Sequence, residues 1–362
     1  MRTVFVIGAG ANTEIGMPSG NELKTKIAGV LKFTETERGI FSGDNIICGA
    51  LDLYSRNPIG IFNSMRANVF VKAAMDISKA MSLSISIDNF IDARRGDQEI
   101  AFCGKLAIVH TIRDAERNCK LFEAKVEQLN DTWYPLLFRK ITEGCHIDEL
   151  AARLNDISFI IFNYDRCFEY FMYLSLMVYY SIDHNRAKNI VQGLHINHPY
   201  GTVGDLWNEL NNFTFGETPN PKQLISLAQN IKTFTESIEQ KNDSKKGIRY
   251  LVKQADRIIF LGFAYHDQNL NLLFKYHINL LSKSSLNLLS KFFGSIYVFK
   301  SISFSKRITC YGTGHGMSDK DLDHLREVLQ IKCKKIKECN ISQMTCSQFF
   351  RDFWYRLTFK ST

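Results

Sequence analysis

The chain has nine cysteines but no Cys-x-x-Cys pair, and the nine form an odd, scattered set at positions 48, 103, 119, 145, 167, 310, 333, 339 and 346. That pattern offers no disulfide framework and suits a reducing cytoplasm. A membrane-length apolar run is also missing. The most apolar stretch, 168–182, is shorter than the roughly 18 to 20 residues that span a bilayer and carries Glu169 near its start, so it reads as a buried helix. Met1 and Arg2 lead directly into the strand-like Thr3-Val4-Phe5-Val6-Ile7-Gly8 without the small-residue cleavage site of a secretory signal, and export is not expected. No internal repeat and no low-complexity tract is evident, although 241–247 is polar enough for an exposed loop.

What is present points to a folded α/β protein. With 45% hydrophobic residues over 362 positions, the chain can bury one large domain with an insertion, or two modest domains sharing an interface. The net charge of +8 is spread along the sequence except for Lys332-Cys333-Lys334-Lys335-Ile336-Lys337. A solvated helix face is the plainer account of that run, and an anionic partner the other.

Short runs rich in β-branched and aromatic residues recur at 3–8, 157–162, 191–197, 257–262, 296–300 and 307–311, most of them followed by a glycine or a polar turn. Helix-length stretches at 19–31, 166–181 and 221–240 lie between them. The alternation predicts a Rossmann-like, doubly wound and mostly parallel sheet formed by 1–33 and 151–316. Residues 34–150, with amphipathic runs at 64–81 and 112–130, read as a helical insertion. The segment 317–362 reads as helical, with Phe349, Phe350, Phe353, Trp354 and Leu357 at helical spacing for packing on the core or at a subunit interface.

Five motifs carry candidate chemistry. The first strand ends in Gly8-Ala9-Gly10-Ala11-Asn12, and Gly16-Met17-Pro18-Ser19-Gly20 precedes the next helix. Small residues at that turn let the backbone approach a diphosphate at a helix N-terminus. Thr13 stands where a third glycine would complete Gly-x-Gly-x-x-Gly, and no acidic residue follows a second strand at the dehydrogenase distance, which disfavours an ordinary dehydrogenase. Next, Phe159-Ile160-Ile161-Phe162 delivers Asn163-Tyr164-Asp165 to a strand's carboxyl end, where open α/β sheets bind ligands, unless Asn163 and Asp165 merely cap the following helix. In His195-Ile196-Asn197-His198-Pro199-Tyr200-Gly201, alternation puts His195 and Asn197 on one face and His198 at the ligand edge; either histidine could equally be structural. The run 257–262 ends at Gly262, which could admit a nucleotide; Phe263 then packs, and His266-Asp267 is a weak dyad because adjacent residues rarely face each other. Finally, Tyr311-Gly312-Thr313-Gly314-His315-Gly316 is an adenosine-side loop or a plain turn.

With these residues in this order, the chain resembles the sirtuin superfamily, and more closely the bacterial sirtuin-like NAD-degrading proteins of anti-phage defence. The likeness covers about 1–30 and 155–315. It rests on Gly8-Ala9-Gly10-Ala11 with Gly16-Met17-Pro18, on the Asn-x-Asp of Asn163 and Asp165, on His198 with Gly201, and on Gly262. The resemblance implies an NAD+ hydrolase that releases nicotinamide and ADP-ribose. Asn163 would orient water or the ribose, His198 (with His195 as the fallback) would act as general base, and Asp165 would fix the ribose or loop. Gly8, Ala9, Gly10, Ala11, Asn12 and Pro18 would hold the pyrophosphate side, and Gly262, Phe263 and Thr313 the nucleotide. It further implies no metal, a homo-oligomer or a partner such as an ATPase as the switch, and nucleic acid only as a trigger. The chain departs from the family's deacylases in lacking the zinc-ribbon cysteines, in reading His-Pro-Tyr-Gly for His-Gly, and in lacking Gly-Thr-Ser in the late loop. The rivals are a protein deacylase or ADP-ribosyltransferase, an NAD or ADP-ribose sensor without turnover, and, compatible with the first reading, an assembly subunit whose helical insertion and basic tail dock an ATPase or nucleic acid.

Overall fold

The computed structural model describes residues 1–35, 41–56, 59–123, 126–207, 214–239, 247–274 and 307–359. Six strands form one all-parallel sheet: β1 (Thr3–Ile7), β2 (Ile157–Ile161), β3 (His195–Asn197), β4 (Arg257–Leu261), β5 (Ile308–Thr313) and β6 (Ile336–Ser342). Their spatial order is 3-2-1-4-5-6, the doubly wound order of Rossmann-like sheets, with the switch point in strand order between β1 and β4. A two-residue ladder, Thr34–Glu35 with Phe41–Ser42, stands apart from it.

The three central strands are buried at every position, which is why each reads as a continuous apolar run rather than an alternation. Phe5 on β1 lies in register with Phe159 on β2 and Ile259 on β4, and the Phe5 and Phe159 rings stack at 5.4 Å. Because all six strands run the same way, the loops after β1, β2, β3, β4 and β5 converge on one carboxyl edge.

Between β1 and β2 the chain forms helices, among them Gly20–Val30, Asn45–Tyr54, Ser64–Ala80, Ile87–Ala93, Gln98–Arg117, Trp133–Thr142 and Ile147–Leu154. Ser19 opens the first with a capping box closed by Glu22. These helices share one continuous hydrophobic core with the sheet, running from Val4 and Phe159 through Leu106 and Phe138 to Phe70. Among the described residues, no helix is long and apolar enough to cross a membrane.

Several expectations need correction. The run 191–197 is not one strand: Val191 is a buried residue in the last turn of helix His184–Gln192, and only 195–197 pair with β2. The stretch 221–240 divides into Pro221–Ala228 and Phe234–Glu239, and 112–130 holds the end of Gln98–Arg117, the short helix Lys120–Glu123 and a 3-10 turn at Val126–Gln128 rather than one helix. The 317–362 segment is helical at Asp319–Lys332 and Cys346–Asp352, but Ile336–Ser342 between them is the edge strand β6. Only Ile336 and Ile341 of β6 are buried, and its charged residues face solvent as edge strands require, so no apolar run announces it. The segment packs on the core through buried Phe349, Phe350 and Leu357. The strand expected at 296–300 and most of the loop at 241–247 lie outside the described residues.

Candidate functional site at the carboxyl edge

The glycine loop after β1 turns into a short 3-10 helix, Ala9–Ile15, and lies directly against the turn after β4. A Cβ on Gly8 would sit 2.6 Å from the Gly262 carbonyl oxygen, and one on Gly10 at 2.9 Å from the same atom. Gly262 has φ of 55°, and a side chain there would collide with the backbone of Gly10 and Ala11. All three positions therefore require glycine for close approach of backbone to backbone. Three of the loop's amides are already engaged: Gly8 N–H donates to the Leu261 carbonyl at 2.9 Å, Gly10 N–H to Gly262 at 3.0 Å, and Ala11 N–H to Gly8 at 3.0 Å. Gly262 N–H donates to Thr313 Oγ1 at 2.8 Å, which draws the end of β5 into the same junction. The visible work of these residues is closing the junction between β1, β4 and β5; Ala9 and Gly10 remain on its accessible side.

Phe263 is a packing residue, with its ring 5.0 Å from Phe162 and 5.2 Å from Tyr265. Pro18 is buried just ahead of the Ser19 capping box. Asp267 pairs with Lys332 at 3.3 Å rather than with His266.

Asn12 joins this loop to the end of β2. Its side-chain N–H2 donates to Asp165 at 2.8 and 3.0 Å, and its Oδ1 accepts from the Tyr134 hydroxyl at 2.8 Å, all three groups being buried. Burial pushes the Asp165 carboxyl above the usual range, against the hydrogen bonds from Cys167 N–H and Asn12 that favour its charged form. The Cys167 bond, 3.1 Å to Asp165 Oδ1, lies at the start of helix Cys167–Tyr180, so Asp165 does serve as a local cap.

Asn163 does not cap the helix. It is only 6% exposed, and both its Oδ1 and Nδ2 are buried without a hydrogen-bond partner. An amide left that way costs about 1–3 kcal/mol for each orphaned group, so it calls for an explanation in what the site binds.

His198 is the histidine beside it. Its Nδ1 lies 3.2 Å from the Asn163 carbonyl oxygen and its Nε2 2.7 Å from Glu169 Oε1. His195 opens β3 level with Ser158, five residues before Asn163 and roughly 16 Å back along the strand direction, which places it at the wrong end of the sheet for the fallback role. Burial opposes a charge on His198, but the Glu169 carboxylate and the Asn163 carbonyl more than offset it, and the ring titrates above its ordinary value. A carbonyl and a carboxylate both accept, so this arrangement places an N–H on each ring nitrogen. Held in this way, His198 has no free lone pair with which to act as a base.

Three carboxylates here escaped the sequence reading. Glu169 is the His198 partner. Glu116, fully buried on helix Gln98–Arg117, accepts from Arg166 at Nε (3.1 Å) and Nη2 (2.5 Å) and from the Arg166 backbone N–H (3.1 Å); burial raises its carboxyl, opposed by Arg113. Asp88, on helix Ile87–Ala93, accepts from the Tyr164 hydroxyl, and burial pushes its carboxyl up to about 6. Position relative to Asn163-x-Asp165 offers a signal for Glu169, one helical turn beyond Asp165; nothing local marks Glu116 or Asp88. Among the described residues, no three His, Cys, Asp or Glu side chains group closely enough to hold a metal.

No protein-family model matches the chain, and a search of curated proteins finds no relative.

Proposed function

We propose that the carboxyl edge binds NAD+ and releases nicotinamide with water as the acceptor, and that the chain is an NAD-depleting effector of bacterial anti-phage defence acting in the cytoplasm. The observation that carries the reading is the buried, wholly unpartnered amide of Asn163 at the end of β2, next to His198. A ribose hydroxyl or the attacking water would satisfy that amide. The glycosidic C1′–N bond breaks with its electron pair on nicotinamide, the water oxygen bonds C1′, and one proton leaves. Positive charge grows on the ribose as the bond breaks, and an oriented amide lowers the barrier by fixing the nucleophile. The 3-2-1-4-5-6 sheet supports this placement, because ligands of doubly wound sheets bind beyond the carboxyl ends of the strands. A diphosphate would meet the accessible side of the junction at Ala9 and Gly10. We read the helices between β1 and β2 as the insertion, and a homo-oligomer or a partner ATPase as the restraint on activity, with nucleic acid at most a trigger.

A second reading is an NAD or ADP-ribose sensor without turnover. It is favoured by the two occupied nitrogens of His198 and the engaged amides of the glycine loop. Incubating the protein with NAD+ and following nicotinamide and ADP-ribose by chromatography, beside Asn163→Ala and His198→Ala, separates the two. Release that is lost in Asn163→Ala supports the hydrolase. Binding without release, also after addition of phage-infected lysate, supports the sensor, and neither binding nor release refutes both.

A further inference from the structure

Helix Cys167–Tyr180 starts two residues after Asp165, and its first turn carries Glu169 back over the end of β3. There Glu169 and His198, both largely buried, line a cleft of about 420 Å³ with Arg166, Thr202 and Trp207. Glu169 Oε1 takes the His198 Nε2–H, while Glu169 Oε2 has no partner. The opposite nitrogen of the same ring reaches the Asn163 carbonyl. One imidazole therefore spans from the helix to the residue whose side-chain amide is orphaned.

We propose that Glu169 is a positioning residue of the site: its carboxylate clamps His198 so that the ring pins the Asn163 carbonyl and thereby fixes the Asn163 amide in place. The functional part of this rests on the hydrolase reading above; the clamp itself does not. The geometry accounts for two otherwise separate facts. A buried histidine is bonded at both nitrogens, and a buried asparagine with no side-chain partner has its carbonyl bonded to that same ring. A neutral side chain at 169 would still accept one hydrogen bond but would withdraw the negative charge that favours the doubly protonated ring. The charged groups around the ring are Glu169 and Asp165 on the acidic side, Arg166, which is itself tied to Glu116, and Asp205 at the cleft's exposed rim. Of these described groups, Glu169 is the one hydrogen-bonded to the ring.

The experiment uses the full-length protein and Glu169→Gln, with Glu169→Ala as a second variant and His198→Gln to assign the His198 signals. In 15N-edited spectra recorded over a pH series, the clamp requires that His198 titrate at higher pH in the wild type than in either Glu169 variant. It also requires that the Asn163 side-chain amide signals move when Glu169 is replaced. Neither readout needs turnover, so a chain that releases no nicotinamide refutes the hydrolase and leaves the clamp to be decided by the spectra. Where the wild type does release nicotinamide, Glu169→Gln lowers kcat on the order of 10²-fold, the scale of a misplaced reacting group, with KM changed far less. A His198 titration unmoved by both variants overturns the clamp. Turnover unchanged or raised in Glu169→Gln overturns the positioning role, because His198 would then work better released than held.

Discussion

Replacing Asp88 by Asn isolates one ionisation beside the candidate site. The helix Ile87–Ala93 is capped by Ser86 and rests on the loop after β2, where Tyr164 donates its hydroxyl to Asp88 Oδ1. Burial raises the Asp88 carboxyl from 3.8 to about 6, against the favourable bond from Tyr164. The folded chain thus holds this proton more tightly than the unfolded chain. The stabilisation is fully present below 3.8, is lost as pH rises through about 6, and is absent above that. At 1.36 kcal/mol per pH unit, the difference is about 3 kcal/mol. An asparagine keeps an acceptor for Tyr164 but carries no charge at any pH. Urea unfolding at intervals from pH 4 to pH 8 should therefore find Asp88→Asn close to the wild type at the acid end and more stable by up to about 3 kcal/mol at pH 8. Glu14, Glu116 and Asp165 are also raised by burial, but they contribute equally to both proteins and drop out of the difference. A difference that stays constant across the range would refute the assignment of a buried charge to Asp88.

Two further substitutions test the junction and the orphaned amide. Gly262→Ala puts a methyl group into the backbone of Gly10 and Ala11 at a left-handed φ, and should lower unfolding stability on the order of 3 kcal/mol, measured by urea denaturation; tolerance of the change would mean that β1 and β4 do not meet as closely as described. Asn163→Leu removes two unpartnered buried groups at nearly constant shape, and should raise the stability of the free protein by about 2–6 kcal/mol while abolishing any stabilisation by added NAD+ in thermal unfolding. A destabilised Asn163→Leu would show that the amide is satisfied within the protein.

How much of this was legible depended on whether the signal was local. The four strands β1, β2, β4 and β5 could be read because inner parallel strands are buried and rich in apolar, β-branched residues, and the helix after β1 because its cap is written in Ser19 and Glu22. The edge strands were harder: β3 has three residues and hides behind a helix ending at Gln192, and β6 carries Lys337 and Glu338 at solvent-facing positions. At the site, Asn163, Asp165 and His198 stood out because a strand end followed by polar residues is itself a pattern. The pairings did not, even where, as with Asn12, the partner was itself a candidate. Asn12 meets Asp165 across 153 residues, and Glu116 meets Arg166 across 50, and no spacing rule connects positions that only the sheet brings together.

The glycine loop shows why a motif's chemistry needs its hydrogen-bond accounting. Gly8, Gly10 and Ala11 have the sequence of a phosphate-binding turn, yet their amides end on Leu261, Gly262 and Gly8 carbonyls. What distinguishes the two uses of glycine is where the N–H points, and that depends on Gly262, which is more than 250 residues away and invisible to the loop's own sequence. Meanwhile Asn163, whose surroundings could equally have made it a helix cap, is the group left without a partner, whereas Asp165 two residues on bonds the helix amide. Among the described residues, the buried side-chain atoms left without a partner at this edge lie on the β2 side, in Asn163 and in Glu169 Oε2, while Gly8, Gly10 and Gly262 close the β1–β4 junction. A ligand's polar groups gain most where capacity is unspent, so on the proposed reading the reacting end of a bound molecule would lie beside Asn163, and the loop after β1 would serve chiefly to hold β1 against β4 beneath it.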